Sequence, residues 1–120
     1  MSKVFVVNRG AHDYSDAEHF GELVFCTEGL VDAYDVAEMY RIFIDRFKSS
    51  DPEDFILMTS LNIICSIACA TFGRKHGQLN LLLFKNGAYI ERHVQLDNLL
   101  TRTRNQDAST QDDSATPGNS

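Results

Sequence analysis

The sequence has no long hydrophobic run. Its uninterrupted apolar stretches, such as Val4-Phe5-Val6-Val7 and Leu81-Leu82-Leu83-Phe84, stop after four residues. A helix that crosses a bilayer needs about 20, and Lys3 followed by four apolar residues is too little for a signal-peptide core. No membrane contact is expected, and the chain reads as cytoplasmic. Cysteine is scarce: Cys26, Cys65 and Cys69 are an odd set without framework spacing, which argues against a disulfide scaffold. Cys65 and Cys69 stand four apart in an apolar helical stretch, and no further ligands lie at zinc-site spacing. They read as reduced core residues, and no metal or cofactor is expected.

Basic residues are also few. The 11 Lys and Arg against 17 Asp and Glu leave a net charge of −6, which disfavours general DNA binding because phosphates demand clustered cations. Missing too are a glycine-rich phosphate loop, a nucleophile elbow and a zinc motif. No nucleophile, base and orienter stand together, so no catalytic residue is assigned and an enzyme is not the favoured reading.

What is present is an ordinary globular composition, 43% hydrophobic and 23% charged over 120 residues, with room for one domain. Its charge is segregated. Residues 10–54 hold 12 acidic and 3 basic side chains, a balance of −9; residues 55–104 hold 2 and 6, a balance of +4. Such a split fits solvated faces, or a second half that faces an anionic ligand or an acidic partner, another copy of the chain included.

Periodicity orders the elements. Val4 to Val7 is a buried strand closed by Asn8-Arg9-Gly10. Residues 11–21 form a long polar loop in which Ser15 and Glu18 match a capping box. Glu22 to Thr27 is a second strand. Val36, Met39, Tyr40, Phe43, Ile44 and Phe47 recur on one helical face, with Asp35 and Glu38 as a capping box, and all six are expected in the core. Asp54 to Met58 is a third strand. A helix running to His76 follows, apolar nearly all round and therefore buried on most sides or covered by a partner chain; Thr59 or Ser60 can cap it. Leu79 to Phe84 and Ala88 to Leu96 flank Asn86-Gly87, a strong hairpin signal. The third strand, second helix and fourth strand form a parallel crossover. The fold class is α/β: a single small domain over residues 1–100, with a mixed five-stranded sheet packed with two main helices in the order β-β-α-β-α-β-β. Residues 101–120 lack large apolar side chains and are expected to be a disordered tail.

Ligands of open α/β sheets collect outside the carboxyl ends of strands, and helix starts attract anions. The candidate ligand-binding residues are therefore Asn8 and Arg9 at the end of the first strand, and Thr59, Ser60 and Asn62 between the third strand and its helix. Arg92 or His12 is expected to close the site. His12 beside Asp13 hints at a polarised base, and His19 shares its loop.

Two segments carry a resemblance: KVFVVN, ending in Asn8, and ILMTSLNIICSIACATFG, in which a polar pair joins a short strand to an apolar helix. They resemble the viral anti-CRISPR ring nucleases that bind cyclic tetra-adenylate at a dimer interface. Those proteins carry a glycine-histidine pair, with the catalytic histidine, where this chain has Met58-Thr59. The resemblance implies a homodimer that holds a nucleotide signal without cleaving it, and so blunts a host defence. The whole chain also looks like small phage α/β proteins. An alternative is a protein–protein interaction module whose acidic loop, with Asp13, Asp16, Glu18 and Glu22, engages a basic host protein. A second alternative is a nucleotide-cleaving enzyme, which requires His12 or His19 to reach Thr59.

Overall fold

The computed structural model describes residues 2–59 and 62–96. Ser60 and the expected polar tail lie outside the described residues. The chain runs β1 (Lys3–Val6), a 3-10 turn (Ser15–His19), β2 (Glu22–Phe25), α1 (Val36–Arg46), β3 (Phe55–Leu57), α2 (Asn62–His76), β4 (Gln78–Lys85) and β5 (Ala88–Gln95). The five strands make one mixed sheet in the order β2-β1-β3-β4-β5. The first four are parallel, and β5 returns antiparallel to β4. The expected order of elements and the parallel β3-α2-β4 crossover are both present. At the hairpin, Asn86 and Gly87 have φ of 53° and 81°. A tight turn needs positive φ at both central residues, which explains this dipeptide.

Side chains of a strand alternate between faces, so the uniformly apolar β1 serves two cores. Phe5 and Val7 pack with Met39, Phe43, Phe47 and Phe72 beneath the helices. Val4 and Val6 pack with Leu57, Leu82, Tyr14 and Ala17 on the other face. The long polar loop is thus a third layer, pinned to the sheet by Tyr14 and Ala17. Its return to β2 passes so close to the N-terminus that a Cβ at Gly21 would lie 2.2 Å from the Ser2 carbonyl oxygen.

The structure corrects three expectations. Of the six residues expected in the core along the first helix, only Met39, Phe43 and Phe47, the last just past α1, are fully buried; Val36, Tyr40 and Ile44 are each 44–45% exposed. The sheet and α2 cover one row of the helix, and the neighbouring row overhangs them. The Ser15–Glu18 capping box does not form. Ser15 lies inside the 3-10 turn, and its N–H donates to Asp13 Oδ1 at 2.9 Å, which holds the Asp13 carboxyl below its usual range. At α1 half of the expected box is made: Asp35 accepts from the Glu38 N–H at 3.2 Å, but the Glu38 carboxylate turns to Arg41.

The apolar surface of α2 is largely spent within the chain, on the sheet and on α1. Its basic last turn serves α1 as well. Lys75 Nζ donates to the carbonyls of Phe47 (2.6 Å) and Lys48 (3.0 Å), groups that a helix end leaves unpaired. Ser50 Oγ donates to Phe47 O (2.8 Å) and lies 2.7 Å from His76 Nε2.

Candidate functional site

Because β1 to β4 are parallel, their carboxyl ends lie along one edge of the sheet. β1 is hydrogen-bonded to β3, and the Val7 N–H reaches Leu57 O. The sheet therefore sets Asn8 beside Met58 and Thr59 with no help from sequence proximity.

The polar groups of Asn8 are occupied. Its Oδ1 accepts from the Thr27 hydroxyl (2.7 Å) and its Nδ2 donates to Gly29 O (3.1 Å), tying the end of β1 to the loop after β2. Arg9 lies over the Phe25 ring, 4.4 Å from its centroid, and faces Glu28 at 3.8 Å. Tyr14 folds the loop back on itself: its Oη accepts from the Gly10 N–H (3.0 Å) and donates to Asn8 O (3.3 Å).

This fold-back places His12 among aromatics. The imidazole meets Tyr14 and Phe84 edge-on, each at 5.0 Å between centroids, and its Nε2 is 3.2 Å from Tyr89 Oη. Phe84 and Tyr89 pack at 5.1 Å across the hairpin. Burial is the main influence that raises the Tyr89 hydroxyl above its usual range, with help from Tyr14, Asp16 and Asp13.

Below these rings is a cavity of about 580 Å³ lined by Asn8, Gly10, Ala11, His12, Tyr14, Leu57, Met58, Thr59, Leu83, Phe84 and Tyr89. On the far side of His12 and Tyr14 a cleft of about 610 Å³ also takes in Arg9, Asp13, Ser15, Glu18, Glu22 and Phe25. Thr59 sits at the turn into α2, where its N–H points to Cys65 Sγ at 3.3 Å and its hydroxyl lies 3.5 Å from the same sulfur. Burial lifts the thiol of Cys26 to about 12 and that of Cys69 to about 11, leaving both as unreactive core groups. Among the described residues no three His, Cys, Asp or Glu side chains are grouped to hold a metal ion.

Of the residues singled out in the sequence, Asn8, His12 and Thr59 line this one cavity, and Arg9 borders the adjoining cleft. Asn62 is the first residue of α2, is exposed, and lies outside the cavity lining. Arg92 pairs with Leu81 on the helix side of the sheet, the face opposite Phe84 and Tyr89, and donates to Glu91 O. His19 packs on Phe20, outside the cavity lining. Sequence reasoning missed Tyr14, Met58, Phe84 and Tyr89. A signal for two of them existed: a two-residue turn at Asn86-Gly87 forces Phe84 to pair with Tyr89.

A family model described as phage Pam3 gp32-like protein matches residues 2–98. The chain belongs to the phage Pam3 gp32-like family. The match spans every described element and all the described residues of the cavity lining. No curated protein and no solved structure matches it. Among its described residues no helix is long and apolar enough to cross a membrane.

Proposed function

We propose that this phage protein is a non-catalytic binding module that holds a small nucleotide-type signal of host defence in the cavity at the strand ends. The observation that carries the reading is the set of rings around that cavity, His12, Tyr14, Phe84 and Tyr89, with Met58 and Thr59 in the same lining. Aromatic faces stack on bases with little regard to sequence. The Thr59 hydroxyl and the imidazole supply hydrogen bonds to the ligand. Among the described residues the cavity lining contains neither a carboxylate nor a lysine, and the candidate base among them, His12, already faces Tyr89. Those features favour retention of the ligand over its cleavage.

The test is native mass spectrometry of the full chain purified from phage-infected cells, followed by calorimetry with linear and cyclic adenine nucleotides. A bound nucleotide mass in the wild type that is lost in Phe84→Ala supports the module. Binding that Phe84→Ala leaves unchanged removes the site, and a wild type that binds none of these nucleotides removes the ligand class.

A second reading rests on the cleft beside the cavity. Among the described residues Asp13, Glu18 and Glu22 line it against the single cation Arg9, a charge balance suited to a basic segment of a host protein. Salt-dependent binding of such a protein, weakened by Glu18→Lys and indifferent to Phe84→Ala, distinguishes this reading from the first.

A further inference from the structure

The exposed row of α1 is unexplained by the strand-end cavity. Val36, Tyr40 and Ile44 stand at i, i+4 and i+8, a single line along the helix, and each is close to half exposed. Just before the helix, Tyr34 is 93% exposed. At the other end of the row lies a recess of about 430 Å³ between α1 and α2, lined by Tyr40, Ile44, Phe47 and Thr71 with the cations Lys48, Arg74 and Lys75. Lys75 is spent on the carbonyls of Phe47 and Lys48 just past α1. Arg74 makes no ion pair with any described residue.

We propose that this face is the interface between two copies of the chain, with the α1 helices antiparallel about a two-fold axis near Tyr40. The face is self-complementary, as a two-fold interface requires. Residues spaced equally about Tyr40 then meet. Val36 covers the partner subunit's Ile44, and Tyr34 enters the partner's recess. The acidic start of the helix, Asp32 and Asp35, comes to the other end of the face, where Lys48 is already paired with Asp45 at 3.2 Å and Arg74 carries the attraction. Antiparallel helix dipoles add to the same attraction. A single acidic or basic partner would satisfy only one end of this face; a second copy satisfies both. This surface is separate from the strand-end cavity, and the proposal stands or falls independently of the nucleotide reading.

The test is sedimentation velocity of the full chain over roughly 1–100 µM, a range in which an interface of modest size dissociates. The expected result is a monomer–dimer equilibrium that weakens with added salt. Tyr34→Ala should raise the dissociation constant about tenfold or more; because Tyr34 is exposed, its loss leaves folding intact. Arg74→Glu should also weaken the dimer, and adding Asp32→Lys to it should restore part of the affinity. A wild type that stays monomeric throughout overturns the proposal. So does a dimer that neither Tyr34→Ala nor Tyr40→Ser affects.

Discussion

His12 and Tyr89, 77 positions apart in the chain, meet with Nε2 3.2 Å from Oη. The contact closes the polar loop over the hairpin and sets one wall of the cavity. Both side chains are partly open to solvent, so the bond itself contributes little to stability, about 1 kcal/mol or less. Its larger effect is to fix where the imidazole stands. Tyr89→Phe should therefore leave the urea midpoint nearly unchanged while lowering nucleotide affinity, and His12→Ala should lower it further. Calorimetry beside denaturation on the same samples checks the split; a large loss of stability in Tyr89→Phe would make the contact structural instead.

Asn8 should behave in the opposite way. Its amide is committed to Thr27 and Gly29, and the residue is only 8% exposed. Asn8→Ala removes both bonds and leaves the Gly29 carbonyl short of a donor, a loss of about 1–3 kcal/mol. Thr27 keeps its second partner, Val7 O at 2.8 Å, which limits the damage. Urea denaturation reads the value directly.

Gly21→Ala should destabilise the domain by about 1–3 kcal/mol, the usual range for overpacking. The added methyl carbon meets the Ser2 carbonyl oxygen at 2.2 Å. That oxygen is backbone, and it already accepts from the Glu22 N–H at 3.1 Å, so relief requires the N-terminal segment to move off β2. Hydrogen exchange should show the loss first in β1 and β2.

Acid should loosen the junction of the two helices. Burial, then the neighbouring Lys75 charge, lower the His76 imidazole from its ordinary value of 6.5, against weaker opposing pulls from Asp54, Asp51 and Glu53. The unfolded chain therefore takes up this proton before the folded one does. The contribution of His76 to stability is full above its ordinary value and falls away as pH drops from there through the lowered folded value. Urea midpoints at about pH 7.5 and about pH 5.5 should differ more for the wild type than for His76→Gln. Equal differences would mean that other groups carry the acid response.

By itself, the sequence determined the elements, their order and the turn chemistry. Apolar period, the Asn86-Gly87 pair and the basic end of α2 are local signals, and local signals survive being read one segment at a time. It named Asn8 and Thr59 as strand-end residues, but that they share one edge was decided by the parallel pairing of β1 with β3. The tertiary structure alone decided what those residues do there. Asn8 is turned inward by Thr27 and Gly29, and Arg92 is carried to the far face by the register of the hairpin. His12 is brought to Phe84 and Tyr89 by the way Tyr14 folds the loop, a contact between segments that no periodicity links. The apolar row of α1 makes the same point: its six-residue face is plain in the sequence, but which half of it lies under the sheet depends on how far the sheet and α2 extend, and that is a property of the packed layers.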